Sequence, residues 1–432
     1  PFLGGEMLKR KRIVALLAVG AISVAGIAAA CDDDDDDDGG GEGGGAVGEL
    51  NIGVLVPLTG DLSPFGGPGA QATELARDQI NAAATAAGFD LSVTLSQEDT
   101  KTDPQGAQEA ATKLVESSGV SAVVGPWASS ETIPTAENVT IPAGVPLVSP
   151  SATSPEITEL DDDGTVFRTA PSDALQGQVI AQVMAEEFGE DASVITANRN
   201  DAYGNALVGE FTKAWEDGGG TIAGNVAYNP EAASLDSEAG QIASEADAWM
   251  IIDFPETWLK MGPALVRTGS WDPARTFTAD GLKVADLPGD AGQEATEGMR
   301  GTAPTSLDAP AGAAFDAFWA DEIGGDVGTF SPNNFDAVIL VALAAAQAGS
   351  SDPADIAANI ADVSGGGDKY TFENLDAAFE AIANGEDIDY EGVSGPLDLD
   401  DNGDPGSSNY GTWSFTGGEL VDTDEVITFD NG

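Results

Sequence analysis

The sequence has no histidine and a single cysteine, and its 16 Lys and Arg stand against 74 Asp and Glu in 432 residues. Each shortage closes a class of function. Without imidazole there is no Ser-His-Asp or Cys-His site and no histidine metal ligand. One cysteine makes neither an internal disulfide nor a multi-cysteine zinc site. Binding a phosphate backbone needs clustered Lys and Arg, so a formal charge of −58 argues against a nucleic-acid partner. Apolar residues are not short. At 42% of the chain they supply the cores of two or three domains at roughly 150 residues each, and exclude wholesale disorder.

The scarce basic residues are unevenly placed. Lys9, Arg10, Lys11 and Arg12 follow Met7 and precede an uncharged, mostly apolar run from Ile13 to Ala30. This is the layout of a secretory signal peptide, here 7–30. The lone Cys31 follows Ala28-Ala29-Ala30 where a cleavage site belongs, and the arrangement resembles a bacterial lipobox, with Ala28 in place of the usual leucine. The resemblance implies that Cys31 is lipidated and becomes the mature N-terminus. The alternative is an uncleaved membrane anchor, since the run reaches the lower length limit for spanning. Either way the remainder is tethered outside the cytoplasmic membrane. Asp32–Asp38 and the glycines of 39–45 repel and resist ordering, so 31–48 reads as a flexible spacer.

Beyond the spacer, residues 49–432 still carry 65 acidic and 12 basic side chains. The acidity therefore belongs to the folded body. Such a surface repels itself unless salt screens it, which fits a marine or halophilic source.

Strand-like apolar runs alternate with helical patterns, the signature of parallel sheets covered by helices. Leu50–Val56, Leu91–Gln97, Ala122–Val124, Pro146–Val148 and Val166–Arg168 read as strands. Helices are expected at Ala70–Ala86, after a glycine-rich turn, and at Pro104–Ser117. The pattern restarts with a helix at Asp173–Phe188 and strands at Ser193–Ala197, Thr221–Tyr228, Ala248–Ile252 and Thr276–Ala279. Helices dominate from Ala309 to Asn384, and Leu397–Thr428 reads as hairpin strands. The expected class is α/β with two doubly wound lobes. In open α/β sheets ligands sit outside the carboxyl ends of the strands, so facing lobes make a cleft.

Several segments are specific. Glu98-Asp99-Thr100, Asp103-Pro104, Lys113-Leu114-Val115, Val123-Val124-Gly125-Pro126 and Ser129-Ser130 occur in that order. Val145–Pro155, Phe167–Asp173, Ala202-Tyr203-Gly204, Glu297-Gly298-Met299 and Gly392–Pro396 follow. Together, across roughly residues 49–415, they resemble the leucine/isoleucine/valine-binding protein family, the substrate-binding subunits of branched-chain amino-acid ABC importers. The resemblance implies a type I periplasmic binding protein fold, two lobes joined by three crossovers. These are expected near Ala170–Ser172, Thr302–Pro304 and Asp389–Gly395. Lobe 1 would hold 49–171 and 303–388, and lobe 2 would hold 172–302 and 389–432.

An α-amino acid needs donors for its carboxylate and acceptors for its ammonium. Ser129 and Ser130, after a strand and at a helix start, offer hydroxyls and free N–H groups, although a serine pair there also serves as a plain N-cap. The resemblance places the carboxylate-binding serine on Ser129, a second contact loop on Thr153 and the Ser151 carbonyl, and a tyrosine contact on Tyr203. It also places the acid that meets the ammonium on Asp280, shorter than the frequent glutamate. Phe65 and Phe254 stand where close relatives carry tyrosines over the ligand. Read alone, Asp280-Gly281 is a tight turn.

Other signals are weaker. Asp398-x-Asp400-x-Asn402-Gly403 matches half a calcium loop, but Asn409 replaces the closing glutamate. Gly66-Gly67-Pro68-Gly69 lacks the spacing and lysine of a phosphate loop. No metal and no cofactor is expected. Asn138-Val139-Thr140 is a formal glycosylation sequon without meaning in a bacterial lipoprotein, and Trp249, Trp258, Trp271 and Trp319 read as packing.

The leading expectation is a monomeric, lipid-anchored receptor, not an enzyme. It captures an amino acid or a related amine or amide and delivers it to an ABC permease with its ATPase subunits. A sensor of the same fold is the alternative. A secreted hydrolase using paired carboxylates finds no supporting pair at a strand end.

Overall fold

The computed structural model describes residues 46–430. The expected signal peptide, Cys31 and the expected spacer through residue 45 lie outside the described residues.

Two sheets organise the chain. The first is wholly parallel: β1 (Gly48–Val56), β2 (Leu91–Asp99), β3 (Ala122–Val124), β4 (Leu147–Ser149) and β5 (Val166–Arg168), in spatial order β2-β1-β3-β4-β5. Strand β1, paired on both sides, is wholly buried from Ile52 to Val56 because both faces of the sheet are covered there. On one face Leu50 and Ile52 pack with the helices Ser63–Ala87 and Ser331–Ala348; on the other, Leu55 packs with Ala111, Leu114 and Val123. In the helix Ser331–Ala348 every residue from Ser331 to Ala346 is buried, so it is the central rod of this lobe.

The second sheet is formed by β6 (Ser193–Arg199), β7 (Thr221–Tyr228), β8 (Ala248–Ile252), β9 (Thr276–Thr278) and β10 (Arg300–Pro304). The chain then returns to the first lobe, where β11 (Asp368–Tyr370) and β12 (Ile388–Tyr390) make a small parallel pair. It re-enters the second sheet as the antiparallel hairpin β13 (Ser407–Thr416) and β14 (Glu419–Asp430), giving the order β14-β13-β10-β9-β8-β6-β7. The chain thus passes between lobes after β5, after β10 and before β13. Val393, Leu397 and Leu399 still pack in the first lobe's core, and buried Arg168 of β5 pairs with Asp404 at 2.5 Å.

Most strand positions agree with the sequence reading, and one expected turn does not. Gly66–Gly69 lies inside the helix Ser63–Ala87, which starts at Ser63 with Pro64 in its first turn. The glycines serve close approach. A Cβ on Gly66 would come within 2.2 Å of the Pro57 carbonyl, and one on Gly69 within 2.4 Å of Trp127. The helices Asp236–Ile242 and Pro255–Thr268 and the strand β10 were not expected from the sequence.

Candidate functional site

The carboxyl ends of both sheets face a narrow, nearly closed cavity of about 20 Å3. From the first lobe come Leu62 and Phe65 after β1, Trp127, Ala128 and Ser129 after β3, and Ser151 after β4. From the second come Tyr203 after β6, Phe254 after β8, and Asp280 and Gly281 after β9. Phe330, which precedes the helix Ser331–Ala348 with φ at 62°, closes the wall.

Short polar bonds stitch the first-lobe loops together. Ser149 Oγ donates to the Pro126 carbonyl at 2.7 Å, and Ser151 Oγ donates to the Trp127 carbonyl at 2.7 Å. Ser129 Oγ accepts the Ser154 N–H at 3.1 Å, which leaves its own proton free to donate. Ser129 opens the helix Ser129–Thr135, and the buried Glu131 carboxyl accepts the Ala128 N–H at 3.2 Å. Burial pushes Glu131 up to about 7.

The second-lobe side is built around Asp280, which is 4% exposed. Gln176 Nε2 donates to its Oδ1 at 2.8 Å, and the Tyr203 hydroxyl lies 3.4 Å from both oxygens. Burial raises Asp280 to about 6 despite these donors, so it is ionised at neutral pH. Nearby Asp173, fully buried at the start of the helix Asp173–Phe188, is pushed well above the usual carboxylate range by burial and by Asp280.

The walls are aromatic. Phe65 and Trp127 rings lie 6.5 Å apart, and Phe254 stacks on Tyr203 with centroids 5.3 Å apart and planes at 15°. Behind Phe254, the Arg199 guanidinium sits 3.7 Å from the ring centroid. Among the described residues that line the cavity, none is Lys or Arg.

Of the eight residues singled out from the sequence, Phe65, Ser129, Ser151, Tyr203, Phe254 and Asp280 converge on the cavity. Ser130 and Thr153 stand outside its lining. On a helix, Ser130 is turned about 100° from Ser129. The Thr153 carbonyl accepts the Asp173 N–H at 2.8 Å, which ties its backbone to the crossover after β5. Sequence reasoning missed Leu62, Trp127, Gly281, Phe330 and the supporting Gln176. Phe330 carries no local signal, because the helix it precedes lies far in sequence from the loops it meets at the cavity. Trp127 lies between Val123–Pro126 and Ser129-Ser130, two of the segments that carry the family resemblance, and was not read as a wall.

Comparison with known proteins is consistent with this geometry. The periplasmic binding protein family profile matches residues 49–407. The leucine-, isoleucine-, valine-, threonine-, and alanine-binding protein of Pseudomonas aeruginosa is 30% identical over 321 residues, covering 72% of this chain and 82% of that protein. Among solved structures, the branched-chain amino acid transporter substrate binding protein of Streptococcus pneumoniae in complex with isoleucine matches with a TM-score of 0.71 at 22% identity, covering 88% of this chain and 100% of that one. A solute binding protein of an ABC transporter from R. palustris in complex with benzoate matches with a TM-score of 0.66 at 20% identity, covering 87% and 95%.

Proposed function

The chain belongs to the periplasmic binding protein family, with the type I fold, and on that premise we propose that it is the extracytoplasmic receptor of an ABC importer for an amino acid with an apolar side chain. Asp280 carries this reading. A buried, ionised carboxylate in a cavity without a lining cation calls for a ligand that brings a positive charge of its own. Its ammonium would meet Asp280. Its carboxylate would take the free proton of Ser129 and the N–H groups at the start of that helix. Its side chain would lie against Phe65, Trp127, Phe254 and Phe330.

Binding, lobe closure and delivery to a permease involve no covalent step, and the reading needs no cofactor. Lobe 1 would comprise 49–171 and 303–388 with the following segment to about residue 404, which packs on its core. Lobe 2 would comprise 172–302 and the hairpin from Ser407. Lipidation at Cys31, with the spacer behind it, would hold the receptor at the membrane as a monomer.

The aromatic wall favours a second ligand class, the aromatic acids, of which benzoate is bound by one structural relative. The charge argument runs against it, because such an acid would set an anion beside Asp280 with no counter-charge in the cavity lining. Native mass spectrometry of the freshly purified full-length protein, followed by a thermal-shift panel of amino acids, amides, amines and benzoates, tests the proposal. An apolar amino acid bound or stabilising supports it. Stabilisation by benzoates alone, or by nothing in the panel, overturns it.

A further inference from the structure

Basic residues are scarce in this body, 12 across 49–432, yet one of them is buried between the lobes. Arg199 ends β6 with its side chain 5% exposed, and three carboxylates surround it. Two belong to its own lobe: Asp201, hydrogen-bonded to Nε, and Asp253, 3.9 Å from Nη1. The third belongs to the other lobe. Asp61 Oδ2 lies 3.1 Å from Arg199 Nη2 and accepts the Thr257 hydroxyl at 3.1 Å. Among the described residues, Asp61–Arg199 is the ion pair that joins the two lobes.

Both ends are anchored. The Asp61 loop is tied to its own sheet: Thr59 gives its N–H and its hydroxyl to Asp99 at 3.1 and 2.7 Å, and the Leu62 N–H donates to Thr102 Oγ1 at 3.0 Å. Arg199 is held over the Phe254 ring at 3.7 Å, Phe254 stacks on Tyr203, and the Tyr203 hydroxyl reaches Asp280. One line of contacts thus runs from the cleft's lip to the carboxylate at its base.

We propose that Asp61, with Thr257 and Arg199, is a closure latch: it fastens the lobes once they meet, pins Phe254 over the cavity and so sets how long a ligand stays. Asp61 and Arg199 are positioning residues that act through lobe closure and Phe254. Because Asp61 joins Arg199 only when the lobes are together, removing it should favour the open form and speed ligand escape while leaving ligand capture alone. Loss of Asp61 leaves Arg199 with Asp201 and Asp253, so no cation is stranded.

The inference rests on the inter-lobe receptor reading, and its test separates the two. Full-length wild type, Asp61→Asn, Asp61→Glu and Thr257→Val are compared by hydrogen exchange without ligand and by stopped-flow kinetics with the amino acid that stabilises wild type. Asp61→Asn is expected to hasten exchange in the lip segments 57–66 and 253–258 without changing the sheet cores 50–56 and 248–252. It should also raise the dissociation rate about tenfold at an unchanged association rate, as loss of one partner of a partly buried charge pair does. Asp61→Glu should recover part of both effects, and Thr257→Val should show a smaller loss. Faster exchange in the cores would mean a merely structural role and overturn the proposal. So would an Asp61→Asn protein whose lip exchange and dissociation rate equal those of wild type. If wild type binds nothing in the panel, the receptor reading fails on that arm, and the ligand-free exchange still decides whether Asp61 holds the lobes together.

Discussion

At the scale of single residues, Asp280 concentrates the functional argument. It is held by Gln176 and Tyr203, and burial raises it to about 6. Its anion is the form that pairs with an ammonium. The ligand's affinity should therefore be flat above pH 7 and fall below about pH 6, approaching a tenfold loss per pH unit as the carboxyl takes up its proton. Calorimetric titration between pH 5 and 8 would read this profile. Asp280→Asn keeps the shape and removes the charge, and an affinity loss of about 100-fold with a flattened pH profile is expected. At this scale Asp280 was legible only through family resemblance, since Asp-Gly after a strand is otherwise a turn. Ser130 shows the opposite case: chemically identical to Ser129 and adjacent to it, it lies off the cavity because of helical rotation alone.

At the scale of elements, the helix Ser331–Ala348 ties the lobe together through one side chain. Asp336 accepts the Tyr390 hydroxyl at 2.8 Å, the Val393 N–H at 3.0 Å, and the Ser394 N–H and hydroxyl at 2.8 and 2.6 Å. Its carboxyl is fully buried and still raised to about 6, so burial outweighs four donors. Asp336→Ala strands those donors, and a loss of about 3 kcal/mol in denaturant unfolding is expected, at the upper end for a buried charged hydrogen-bond hub. The alanine-rich pattern of this helix predicts its existence and burial. It does not predict that Phe330 at its start closes a cavity whose other walls are drawn from β1, β3, β4, β6, β8 and β9. The glycines of 66–69 teach the same lesson in reverse. Local preference calls for a turn, yet the segment is helical, and glycine stands at 66 and 69 because a Cβ there would run into the Pro57 carbonyl and Trp127.

For the whole molecule, acidity governs stability in two ways. Glu131 and Asp253 are raised to about 7, and Asp280 and Asp336 to about 6, all mainly by burial. Each folded-state value lies above that of the unfolded chain. The folded form therefore holds these protons more tightly, and the stability these four groups contribute is fully present at low pH and is lost as pH rises through about 4 to 7. Surface repulsion among the remaining carboxylates acts in the same direction. The ligand-free protein should melt higher at pH 5 than at pH 8 by scanning calorimetry. Moving from about 0.01 M to about 1 M salt should raise the pH 8 value more than the pH 5 value, since the Debye length falls from about 30 to about 3 Å. A melting temperature indifferent to salt would count against the saline-habitat reading.

The sequence by itself determined the alternating strand and helix plan, the excluded chemistries and the acidic surface. These follow from composition and from periodicities of two and 3.6, which are local properties. Only the tertiary structure decided which side chains share the cavity and which acid stays charged there. It also brought Arg199 of one lobe to Asp61 of the other, 138 residues apart in sequence. Those outcomes depend on how two sheets face one another across three chain crossings, and on the burial this imposes, neither of which is encoded at any single position.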